Sequence, residues 1–171
     1  MQRIIITGGS GLIGRALTTE LTAHGYEVVI LSRRPEAATA LPAGARVIGW
    51  DGRSAQGWGE LADGAYAIVN LAGASIARPP WTEMYKRAIV ESRVNAGHAV
   101  VEAVKAAAQK PSVVVQASAV GIYGVRKPRP SAKPRRRAVT IWHRSASSGK
   151  PRRLRSKRLV CVALSSAPGW C

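Results

Sequence analysis

A chain of 171 residues is long enough for one buried core, but two cysteines cannot make a disulfide framework, and no apolar run approaches a signal-peptide core or a membrane span. The net charge of +17 is held unevenly: residues 1–124 carry 12 Lys/Arg and nine Asp/Glu, whereas residues 125–171 carry 14 Lys/Arg and no acid. The basic excess thus belongs to the second segment, and the first is expected to be a cytoplasmic globular domain with no metal-ligand cluster.

In chain order, the first apolar run is Ile4–Ile6, short and β-branched as a buried parallel strand should be. Thr7-Gly8-Gly9-Ser10-Gly11-Leu12-Ile13-Gly14 follows at once, and then a helical stripe of Leu12, Ile13, Ala16, Leu17 and Leu21 that ends at His24-Gly25. A glycine-rich loop between a strand and a helix is where a dinucleotide diphosphate is held, because bare backbone can approach it and the helix presents unpaired N–H groups and a positive dipole end. In this reading Gly8 and Gly9 make the tight turn, Gly11 admits the diphosphate, and Gly14 lets the helix pack on the sheet. Ser10, Leu12 and Ile13 complete the loop.

The second strand is read at Val28–Leu31 and leads into Ser32-Arg33-Arg34-Pro35. A carboxylate here would bind the ribose hydroxyls of NAD, whereas guanidiniums accept the 2′-phosphate of NADP. Ser32, Arg33 and Arg34 therefore favour NADP(H), with NAD still possible; a solvated surface pair is the alternative. After a third strand at Val47–Ile48, Asp51 can accept from the adenine amino group or simply hold a turn before Gly52. The fourth strand, Ala67–Leu71, ends in Asn70-Leu71-Ala72-Gly73, small residues suited to lining the ribose and nicotinamide side of the coenzyme.

A long helix is expected from Thr82, its N-cap, to Gln109, with Ile89, Val90, Val94, Val100, Val101 and Val104 as its core face, Lys110-Pro111 as its stop and Gly97 as a point of interruption. The fifth strand is Val113–Ala117. Strand and helix alternating in this way predict an α/β, Rossmann-like, doubly wound parallel sheet of order 3-2-1-4-5, truncated after the fifth strand, over residues 1–124. Residues 125–171 lack both acids and a convincing period and are expected to be a basic, largely disordered tail, with an isolated strand at Val160–Leu164. The sheet, lacking a sixth strand, would then leave an edge exposed to aggregation.

The glycine loop, Asn70-Leu71-Ala72-Gly73 and Gln116-Ala117-Ser118-Ala119-Val120-Gly121-Ile122-Tyr123-Gly124 resemble the extended short-chain dehydrogenase/reductase superfamily. Ser32-Arg33-Arg34-Pro35, Trp50-Asp51, Trp81-Thr82-Glu83-Met84-Tyr85-Lys86-Arg87 and Glu91-Ser92-Arg93 resemble its atypical branch of NAD-dependent epimerase/dehydratase-like proteins. The resemblance covers residues 1–124 only. It implies an oxidoreductase or epimerase acting on a small molecule, with Ser118 hydrogen-bonding the substrate oxygen and a tyrosine–lysine pair on a later helix moving the proton. Tyr123 and Lys127 match the Tyr-x-x-x-Lys spelling but not its geometry, since Tyr123 lies too close to Ser118 and Pro128 follows the lysine. Without that pair, a non-catalytic NADP-binding sensor or structural module is the alternative.

His24, His98 and His143 are scattered, and Trp81 either faces substrate or covers the sheet edge. The tail's charge implies salt-sensitive, nonspecific attraction to nucleic acid, and no membrane role. Shifting the tail's reading frame by one base permits Glu-Ala-Ser-Pro-Pro-Gly from Lys133, Asp-Asp-Leu-Ala-Gln-Val-Cys-Val-Gln-Trp-Glu-Ala-Ala from Thr140, and Leu-Arg-Thr-Gly-Val-Val near Cys171. These resemble the same family's continuation. A base lost near the codons for Gly124–Arg126 would account for them.

Overall fold

The computed structural model describes residues 1–38, 41–77, 79–119 and 159–164. Six parallel strands, β1 (Arg3–Thr7), β2 (Glu27–Ser32), β3 (Ala45–Gly49), β4 (Ala67–Asn70), β5 (Val113–Ala119) and β6 (Leu159–Leu164), form one sheet of order β3-β2-β1-β4-β5-β6. The expected 3-2-1-4-5 order is present within it. Helix α1 (Leu12–Ala23) follows β1, and α2 (Glu83–Ala106) joins β4 to β5.

Strand alternation sends neighbouring residues of β1 to opposite faces. Ile5 packs with Val29, Ile68, Val114, Trp50, Trp58 and the α2 residues Ala96, Ala99, Val100, Ala103 and Val104. Ile4 and Ile6 pack on the other side with Val28, Ile30 and Val69, against Leu17 and Leu21 of α1. Both faces are covered, which is why the strands read as unbroken β-branched runs.

Several expectations are corrected. Helix α2 is continuous through Gly97, which is buried, and it ends at Ala106, before Gln109. Its N-cap is Thr82, whose hydroxyl accepts from the Tyr85 amide at 3.2 Å. Val90, Val94 and Val101 are only half-buried, and the fully buried face is filled instead by Ala96, Ala99 and Ala103 with Ile89, Val100 and Val104. Small side chains let the helix axis lie close to the sheet, so packing distance overrides hydropathy rank here.

The tail's apolar run is not isolated. Residues 159–164 pair with β5 along its length, from Val114↔Leu159 to Ala119↔Leu164, so β5 is not an edge and the expected open flank is occupied. A six-residue apolar, partly β-branched stretch is what a parallel strand requires. The remaining tail residues, with Tyr123, Lys127 and His143, lie outside the described residues. Among the described residues no helix is long and apolar enough to cross a membrane, and no group of side chains could hold a metal ion.

Candidate functional site

A cleft of about 420 Å³ opens across the carboxyl ends of the central strands. Its floor is the turn after β1, with Gly8, Ser10 and Gly11; Leu31–Arg34 line it from β2, Trp50–Arg53 from the loop after β3, and Leu71–Ala74 from the loop after β4. Helix α2 contributes Glu91, Ser92 and Asn95. This crevice at the point where strand order reverses is the place an α/β sheet offers a ligand.

The glycine turn is built for close approach. Gly8 sits at φ +71°, and a Cβ there would meet the Leu71 carbonyl carbon at 2.9 Å. A Cβ on Gly14 would lie 2.5 Å from the Gly8 oxygen and from the Gly9 Cα, so Gly14 seats α1 on the turn itself rather than on the sheet. Gly9 has no positive φ; a Cβ on it would collide with the Ile30 side chain at 2.7 Å, so it permits contact with β2 rather than the bend. Gly11 is the N-cap of α1, gives no side-chain cap, and is followed by no acid in the first turn. The helix therefore presents an uncompensated positive end.

Leu12 and Ile13 begin α1 but are 90% and 48% exposed and do not line the cleft. The predicted stripe thus starts at Leu17, and the loop's two large apolar side chains stand in solvent.

Three strands are tied together beneath the cleft by polar side chains. The Thr7 hydroxyl donates to Asn70 Oδ1 at 2.5 Å, and Asn70 Nδ2 donates to Gln116 Oε1 at 2.8 Å. Gln116 Nε2 in turn donates to the Ala117 carbonyl, while the Ala72 amide donates to Asn70 Oδ1 at 3.2 Å. Every polar group of Asn70 is used, and the loop that carries Leu71, Ala72 and Gly73 to the cleft is held from below.

The same loop is clipped from above by α2. Ser92 Oγ accepts from the Ala74 amide at 2.9 Å, Arg93 donates to the Ala74 carbonyl at 3.3 Å, and Tyr85 donates to the Ser75 carbonyl. Burial pushes the Arg93 guanidinium below its ordinary value. These clips explain why Tyr85, Ser92 and Arg93 belong together, although their spacing alone names no role. Trp81 donates its indole N–H to the Ile76 carbonyl at 3.1 Å and does not line the cleft.

Asp51 lines the cleft, with its carboxylate engaged in its own turn. Oδ1 accepts from the Arg53 and Ser54 amides at 2.7 and 2.9 Å, and Oδ2 accepts from the Ser54 hydroxyl at 2.8 Å. The Ser54 amide is the main cause holding its pKa below the ordinary value, with Arg53 adding to it. Arg33 and Arg34 are exposed on the cleft wall, and the Arg34 amide donates to Ser32 Oγ at 3.2 Å.

Ser118 lies on β5 outside the cleft lining, and its hydroxyl is buried without a hydrogen-bond partner among the described residues. His24 and His98 are exposed.

The NAD dependent epimerase/dehydratase family model matches residues 4–148. The epimerase family protein YfhF of Bacillus subtilis is 40% identical over 123 residues, which is 72% of this chain and 39% of that protein. The human epimerase family protein SDR39U1 is 34% identical over 124 residues, covering 71% of this chain and 38% of its own length. The chain thus spans about two fifths of the curated relatives it matches. The crystal structure of human SDR39U1 isoform 2 with NADPH superposes with a TM-score of 0.72 at 27% identity, covering 95% of this chain and 53% of that one. A UDP-galactose 4-epimerase, at 24% identity and a TM-score of 0.67 over 86% of this chain and 49% of its own, shares the fold. With a parallel sheet, a glycine turn at its reversal point and a family match over most of its length, this chain belongs to the NAD dependent epimerase/dehydratase family.

Proposed function

We propose that this chain binds NADP(H) across the cleft and belongs to an oxidoreductase or epimerase acting on a small molecule. The observation that carries the reading is the uncapped amino end of α1, seated by Gly14 on a glycine turn and opening on a cleft whose far wall holds Arg33 and Arg34. The α1 amides would hold the diphosphate, and the two guanidiniums would take the ribose 2′-phosphate in place of the carboxylate that selects NAD. Support comes from human SDR39U1, whose crystal structure contains NADPH.

When bound, the coenzyme supplies hydride exchange with a carbinol or carbonyl carbon. In this reading the loop of Ala72 and Gly73, held by Asn70 at the Ala72 amide and by Ser92 at the Ala74 amide, sets the depth of the nicotinamide side, and Ser118, which the family resemblance assigns to the substrate oxygen, would reach it only once its buried hydroxyl is uncovered. Titration of the intact protein with NADPH and NADH, followed by coenzyme fluorescence, tests it. Saturable binding with NADPH preferred is the expected result, and a folded protein that binds neither coenzyme refutes it.

A second reading, a binding module without turnover, is favoured by one observation: none of the described tyrosines or lysines lines the cleft. A phenol far from a cationic neighbour keeps a pKa of about 10 and is a poor proton donor–acceptor at neutral pH. Binding of NADPH with no oxidation by any of a panel of carbonyl compounds supports the module.

We also propose that most of residues 125–171 derive from a shifted reading frame. The abrupt loss of acids after Gly124 supports this, while the family-model match to residue 148 and the strand Leu159–Leu164 weigh against it. Sequencing an independent copy of the gene decides it: an intact frame through Cys171 refutes the shift.

A further inference from the structure

The loop after β3 is far more constructed than a connection of its length requires. Its centre is the Ser54 carbonyl, which accepts from the indole N–H of Trp50 at 2.7 Å and of Trp58 at 2.9 Å, the two rings meeting edge to face. Asp51 closes the turn with three accepted hydrogen bonds, and the Ala55 amide donates to Glu102 of α2 at 3.1 Å. Trp50 and Trp58 are both buried. The cation this scaffold carries to the cleft is Arg53.

Arg53 does not stand there alone. Gly52, at φ +80°, lies beneath the stem of Arg33: a Cβ on it would be 3.2 Å from Arg33 Cδ and 3.7 Å from Cγ. The β2 arginine therefore rests on the β3 turn, and Arg33, Arg34 and Arg53 line one cleft. Among the described residues none of the three has an ion-pair partner; of the two carboxylates that line the cleft, Asp51 is spent on its own turn and Glu91 belongs to α2. Guanidiniums that share one cleft wall without an ion-pair partner repel one another, and a dianion offsets that repulsion where a neutral group cannot.

We propose that Arg53 is a specificity-determining residue, the third guanidinium of a site for the phosphorylated ribose of the coenzyme, with Gly52 as the shelf that holds Arg33 in that site. The proposal rests on the NADP(H) reading above and adds to it a second wall, contributed by β3, to the pair after β2.

The test uses the full chain and its Arg53→Gln, Arg53→Lys and Gly52→Ala variants, titrated with NADPH, NADH, adenosine 2′,5′-bisphosphate and adenosine 5′-monophosphate. Arg53→Gln is expected to weaken NADPH and the bisphosphate about tenfold and to leave NADH and the monophosphate within about twofold, as loss of one charge-assisted contact to phosphate should. Arg53→Lys keeps the charge without the fork and should fall between. Gly52→Ala should show the same selective loss by lifting Arg33. Arg53 lies on the surface, so Arg53→Gln is read on a folded protein even if Gly52→Ala is unstable. Equal loss for both coenzymes, or no loss for either, overturns the role of Arg53 while leaving the coenzyme reading intact. Failure of the unaltered chain to bind NADPH overturns both.

Discussion

Asn70 donates its side-chain amide to Gln116 across the carboxyl ends of two neighbouring strands, at 2.8 Å and out of contact with water. Because Asn70 Oδ1 also receives Thr7 and the Ala72 amide, this bond fixes which way the Asn70 amide faces and with it the height of the loop lining the cleft.

Replacing Gln116 with Leu strands the Asn70 amide in an apolar layer. The expected cost is about 1–3 kcal/mol in stability. Urea unfolding with an unchanged m-value measures it, and a variant within error of the parent would show the network to be dispensable.

Gly14→Ala and Gly11→Ala should separate. The first drives a methyl to 2.5 Å from turn backbone that cannot move aside, whereas the second meets only the Gly8 oxygen, at 3.3 Å. Thermal melts should show Gly14→Ala as the more damaging by about 1–3 kcal/mol.

Ser118→Ala removes a buried hydroxyl that has no partner among the described residues. Stability should be unchanged or rise by under about 1 kcal/mol, because no hydrogen bond is lost and a desolvated oxygen disappears. Any turnover with a carbonyl substrate should fall about a hundredfold. Chemical denaturation and an NADPH-consumption assay read the two effects separately, and a clear loss of stability would show that the hydroxyl is engaged.

Acid should spare the β3 loop until late. Asp51 has a folded pKa below its ordinary 3.8, so its contribution is complete above that value and is lost only as the pH falls through the lowered one. Emission from Trp50 and Trp58 should stay flat from neutral pH down to the ordinary aspartate value and change beneath it. Asp51 is exposed, so the energy involved is small and the spectral midpoint, not global stability, is the readout.

The sheet was legible because Ile4–Ile6 and Val28–Ile30 are β-branched runs buried on both faces, and Val113–Val115 is one buried at Val114 and half-buried on either side, a pattern few other environments demand. Thr82 was legible as a cap because its hydroxyl acts locally. The buried face of α2 was not, since alanine is weakly hydrophobic and only the closeness of the sheet selects Ala96, Ala99 and Ala103 over Val90 and Val94. Leu12 and Ile13 misled for the converse reason: helical spacing places them on a stripe, but the turn beneath α1 leaves them exposed. At the cleft, arginines and glycines could be named in advance. The clips made by Tyr85, Ser92 and Arg93 could not, because they grip main-chain atoms of a loop whose path no local pattern encodes.

The placing of β6 bears on biosynthesis. The strand that seals β5 is drawn from residues 159–164, whereas β5 is complete at Ala119, so a ribosome-bound chain carries the outer rim of β5 unpaired until Leu159–Leu164 emerges. That interval is when two nascent copies can zip together in place of β6. Slower translation past Ala119 would lengthen the exposure, and a chaperone that shields extended backbone would shorten it.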